Sequence, residues 1–103
     1  MDKWELAIAT ALEFMTGAFT EHLQLYASIQ ESALTNQEIA RITHMEQRVN
    51  AQSEIAAGLA EEISREQSDH LAEQLTATIE RLRDTVKDAN RIMREMLERK
   101  AKK

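Results

Sequence analysis

Apolar residues recur along the first third of the chain at alternating intervals of four and three: Trp4, Ile8, Ala11, Met15, Ala18, His22, Leu25 and Ile29. That interval holds one face of an α-helix in register. Leu12, Phe19 and Tyr26 widen the stripe on one side, and Ala7 and Phe14 on the other. It is broader than the seam of a two-stranded coiled coil. The pattern predicts a helix over about residues 2–33, touching at least two other helices, with Trp4, Ile8, Met15, Phe19, Tyr26 and Ile29 on its core face.

The pattern then stops at Leu34-Thr35-Asn36. Thr35 is a good N-cap, and Glu38 three residues later completes a capping box. Leu34 and Ile39 can close a hydrophobic staple around it. A turn at residues 34–35 followed by a new helix from Asn36 makes the two helices antiparallel neighbours.

From Asn36 onward the apolar residues are Ile39, Ile42, Met45, Val49, Ala56, Leu59 and Ile63. A polar stretch follows, from Ser64 to His70. The stripe resumes as Leu71, Leu75, Ile79, Leu82, Val86, Ala89, Met93 and Met96, out of heptad phase with the first part. Either one helix runs through a stutter, or the chain reverses near Ser68-Asp69. Turn chemistry favours the continuous helix, about residues 36–100, because the stretch holds no glycine and no proline, and its one capping-box pair, Ser64 and Gln67, would staple Ile63 against the polar Ser68.

The expected fold is therefore all-α. It is an antiparallel helical hairpin with a long second helix, dimerising into a four-helix or coiled-coil arrangement. The alternative is a monomeric three-helix bundle with a turn near Ser68-Asp69. In the hairpin, the first helix covers half of the second. Leu71, Leu75, Ile79, Leu82, Val86 and Met93 then become a self-association seam, because a soluble monomer rarely leaves such a stripe bare. Gln67, His70 and Gln74 form a polar layer in it. His22 also falls on an apolar beat, where polar residues set register or oligomer state. Thr76, Thr78, Thr85 and Asn90 add polarity along the second half.

Composition sharpens this picture. The 103 residues include no proline, no cysteine and only two glycines, so little interrupts a helix. Without cysteine there are no disulfides and no thiolate metal sites. No Glu-x-x-His pair occurs, so neither a metal nor another cofactor is expected. No Gly-rich phosphate loop and no nucleophile motif is present, which points away from an enzyme. The net charge of −5 argues against a broad nucleic-acid surface. Cations gather at the C-terminus, however, where residues 99–103 are expected to fray. Arg94, Arg99, Lys100, Lys102 and Lys103 are candidate contacts for an acidic partner or nucleic acid. With no evident signal segment and no membrane-length apolar run, the expected setting is cytoplasmic. The expected role is a small non-enzymatic protein-interaction or assembly module, a homodimer or higher oligomer, with another helical protein as a further candidate partner.

Overall fold

A computed structural model describes residues 2–102. It is all-helical among those residues: α1 (Lys3–Thr16), α2 (Ala18–Gln30), α3 (Asn36–Arg65) and α4 (Asp69–Ala101). Lys103, one of the expected acidic-partner contacts, lies outside the described residues.

The first predicted helix forms, but with a kink. At Gly17 the backbone leaves helical geometry (φ −107°, ψ −98°). The Thr20 hydroxyl donates to the Met15 carbonyl at 2.6 Å and the Thr16 hydroxyl to the Leu12 carbonyl at 2.8 Å, so side chains satisfy carbonyls around the break. Asp2 caps α1 by accepting from the Glu5 amide at 2.7 Å.

The turn before α3 is built as its sequence indicates. The Glu38 amide donates to the Thr35 hydroxyl, and the Thr35 amide donates to the Glu38 carboxylate. Lys100 reaches over from α4 to the same carboxylate at 2.9 Å. The Thr35 amide first, and Lys100 with it, hold the Glu38 carboxyl down at about 2. A lowered folded-state value stabilises above the ordinary carboxylate range, and that stabilisation is lost as pH falls through about 2. Glu38→Gln is therefore expected to lower stability to urea near neutral pH. The gap between wild type and variant should close progressively below about pH 4.5. A gap independent of pH would mean that the carboxylate charge is not what stabilises the turn.

The continuous second helix is not formed; the chain reverses, as in the three-helix alternative. Glu66 and Ser68 are extended, and α4 restarts at Asp69 with no side-chain cap on Ser68. The reason is burial rather than turn chemistry. Residues 64–70 carry nothing apolar that would anchor a straight helix there. Reversal lets α4 bury Ile79, Leu82, Val86 and Met93 against its own chain. Each fully buried side chain of this size contributes about 1.5–3 kcal/mol, so four of them outweigh a few broken helical hydrogen bonds. The residues expected to form an intermolecular seam are thus core residues, with Leu71 and Leu75 half-buried at its edge.

α4 is the central helix. α1, α2 and α3 all pack on it, and α1 packs on α2. No Cα atom of α3 comes within 8 Å of α1 or α2. The assembly is long and thin, 52 × 23 × 16 Å. Its core forms two apolar clusters. One joins Ile29, Ile42, Met45, Ala89, Ile92, Met93 and Met96; the other joins Phe14, Val49, Ile79, Leu82 and Val86.

This layout corrects the expected core face of the first helix. Ile29 is buried, and Trp4, Phe19 and Tyr26 are half-buried. Ile8 and Met15 are 60% and 55% exposed. In α1 the row turned inward is Ala7, Ala11 and Phe14, one residue earlier. With α3 too far away to cover a second face, α1 buries only a narrow stripe.

Candidate functional site

Between the two apolar clusters lies a polar layer contributed by three helices. His22 of α2 is 3% exposed and Asn90 of α4 is 1% exposed. The Asn90 amide nitrogen donates to the Ala18 carbonyl at 3.1 Å, which turns its oxygen towards His22 Nδ1 at 2.8 Å. Nδ1 therefore carries a proton and donates it. His22 Nε2 lies 2.7 Å from a carboxylate oxygen of Glu46 on α3. The Tyr26 ring stacks on the imidazole at 6.4 Å between centroids.

The layer ties α2, α3 and α4 at one height. A register slip of one residue in any of them would strand a buried polar atom, at about 1–3 kcal/mol. Both imidazole nitrogens are committed to protein partners. The geometry thus suits fixing helix register better than passing a proton to a bound molecule.

The layer is not where the second half of the sequence placed it. Gln67, His70 and Gln74 are all exposed around the α3–α4 reversal. His70 sits in the first turn of α4, where no other helix covers it. His22 was legible from its apolar beat, and Asn90 from its place on the polar-rich seam. Glu46 carried no signal, because its partner is 24 positions away in sequence.

The basic end is largely used within the chain. Arg94 pairs with Glu21 across α4 and α2. Lys100 binds Glu38 and also donates to the Ala33 carbonyl, fastening the end of α4 onto the α2–α3 turn. Arg99 and Lys102 are exposed and have no ion-pair partner among the described residues. Arg99 faces Arg41 of α3 across a cavity of about 330 Å³. That places α3 in the basic region, which the C-terminal charge run alone did not indicate. The signal was the spacing of Arg41, His44 and Arg48, three and then four apart on one helix face.

The outer surface of α1 and α2 is the remaining candidate. Ile8, Leu12, Met15 and Leu23 are 55–60% exposed along it. Around them stand Ala9, Thr16, Thr20, Gln24 and Ala27, all exposed and uncharged. Glu13 and Glu21 are the only charged residues exposed between Leu6 and Ser28, and Glu21 is occupied by Arg94.

Among the described residues no three His, Asp or Glu side chains converge as a metal site would require. No described helix is long and apolar enough to cross a membrane. The chain matches no protein-family model, and neither the curated proteins nor the solved structures contain a significant match to it.

Proposed function

We propose that this protein is a small, non-catalytic assembly module that works as an antiparallel homodimer through the outer face of α1 and α2. The observation that carries this reading is the exposed row Ile8, Leu12, Met15 and Leu23 on a face almost free of charge, in a chain that is 30% charged. Depletion of charge at the centre of an apolar patch characterises interface cores.

Two features favour a second copy over a different protein. First, the row is nearly its own mirror image about the Met15–Thr16 bond. Ile8 lies as far before that point as Leu23 lies after it, and Leu12 as far before as Phe19 after. A two-fold axis there sets Ile8 against Leu23 and Leu12 against Phe19, each contact occurring twice. Second, charge is uneven along the molecule. The half built from residues 2–16 and 50–85 holds eleven carboxylates and four Lys or Arg; the half built from residues 17–49 and 86–102 holds seven and eight. Antiparallel pairing brings unlike halves together, whereas parallel pairing stacks the two acidic halves.

The absence of native cysteine makes a direct test available. Under mild oxidation Met15→Cys alone is expected to give a disulfide-linked dimer, because the two copies of position 15 meet near the axis. Ile8→Cys alone is expected to remain unlinked, and to link when mixed with Leu23→Cys. Efficient linkage of Ile8→Cys to itself would indicate parallel pairing and contradict the proposal. No linkage at any of these positions would contradict the interface.

A further inference from the structure

The geometry points to a docking groove between α3 and α4 for an acidic amphipathic helix of a protein partner. Beside the paired Lys100, four basic side chains border it: Arg41, His44 and Arg48 from α3, and Arg99 from α4. They line two adjoining cavities of about 330 and 140 Å³ that share Arg41. All four side chains are exposed. None of the three arginines has a carboxylate within 4.0 Å among the described residues.

The carboxylates at the groove are already engaged. Glu38 is held by Lys100, and Asp88 by Arg91 at 2.6 Å. The groove therefore presents uncompensated positive charge on a chain whose net charge is −5. An arginine at this kind of site offers a planar fork that binds a carboxylate through two parallel hydrogen bonds.

The spacing of the arginines argues for a helix over a nucleic-acid strand. Met45, Ile92 and Met96 lie at the base of the two cavities. They are only 7%, 9% and 1% exposed, so a docked helix would touch them in a narrow strip while its carboxylates reach the arginines. Arg41 and Arg48 are two helical turns apart, about 10 Å, which matches carboxylates seven apart on an antiparallel or parallel helix. An extended polyanion would leave the groove and meet the acidic half of the molecule, where eleven carboxylates face four cations. The groove lies on the α3–α4 side, so the proposal stands or falls independently of pairing through α1 and α2.

The test uses the full chain and a fluorescein-labelled peptide of about 20 residues, roughly 30 Å as a helix. The peptide is glutamate-rich with leucines at three- and four-residue spacing. A single-stranded oligothymidylate of similar charge is run beside it. Anisotropy at low salt is expected to show peptide binding that weakens as salt rises. The Arg41→Glu/Arg48→Glu variant should lose about tenfold or more in affinity. Arg99→Glu and Lys87→Glu make equal charge changes inside and outside the groove, and Lys87→Glu should lose far less than Arg99→Glu. If the double variant does not keep its helical circular dichroism, Arg99→Glu alone provides the same reading. Absence of peptide binding, equal losses from Lys87→Glu, or tighter binding of the oligonucleotide than of the peptide would each overturn the proposal.

Discussion

Leu12→Glu is expected to turn the proposed dimer into a folded monomer. Leu12 is more than half exposed in the single chain, and leucine and glutamate have similar helix propensities, so the monomer has little to lose. In the proposed antiparallel pair each Leu12 would meet the half-buried Phe19 of the other copy, and the substitution would act twice. Losing about 2 kcal/mol of apolar burial per copy weakens the dimer by about 4 kcal/mol, roughly a thousandfold. Two carboxylates driven into an apolar seam add to that cost. The readout is the dissociation constant by sedimentation, with helical circular dichroism as the fold control. A variant that dimerises like the wild type would place the interface elsewhere.

The second large effect concerns the buried polar layer. His22→Leu leaves the Asn90 oxygen unpaired and removes the partner of a carboxylate whose side chain is 23% exposed. A cost of about 3 kcal/mol is expected. Asn90→Leu leaves the Nδ1–H of His22 without an acceptor, at about 2 kcal/mol. The double substitution removes both stranded groups together. It is expected to cost about 1–3 kcal/mol less than the sum of the two single changes. Urea unfolding of the four proteins measures that coupling directly. The double variant is also expected to lose sharpness in its amide spectrum, because an apolar layer tolerates register shifts that a hydrogen-bonded one does not. Additive costs would mean that His22 and Asn90 do not act as a unit.

The parts of the fold that depend on neighbouring residues were legible in the sequence. Thr35 and Glu38 marked the start of α3 because a capping box is made by residues three apart. The reversal at residues 66–68 was not legible, because two extended residues without glycine, proline or a cap leave no chemical mark. What selects it is the long apolar face of α4, whose partners are distant in sequence. The facing of α1 was ambiguous for a related reason. Trp4-Ile8-Ala11-Met15 and Trp4-Ala7-Ala11-Phe14 are both valid helical rows one residue apart. Only the number of helices that reach α1 decides between them, and α3 does not reach it.

The same distinction explains the candidate sites. His22 and His70 both fall on an apolar beat. One lies mid-bundle and finds Asn90 and Glu46; the other begins a helix at the open end and finds solvent. The cations of the C-terminus were visible as a run of like charge, but their pairing was not. Glu21 and Glu38 claim Arg94 and Lys100 from other helices. Among the described residues, the exposed arginines without an ion pair are divided between α3 (Arg41, Arg48) and α4 (Arg81, Arg99). Ile8, Leu12 and Met15 fall on the predicted apolar stripe yet lie exposed, because an apolar residue carries no label saying whether its partner is the same chain or another.

The measurement that bears most directly on the assembly reading is the mass in solution, by light scattering across a size-exclusion peak at micromolar concentration. A homodimer predicts twice the 11.8 kDa of one chain, falling to the single-chain mass for Leu12→Glu. A mass of 11.8 kDa for the wild type at that concentration would contradict the account. Ile8, Leu12, Met15 and Leu23 would then be an apolar surface that a second copy does not cover.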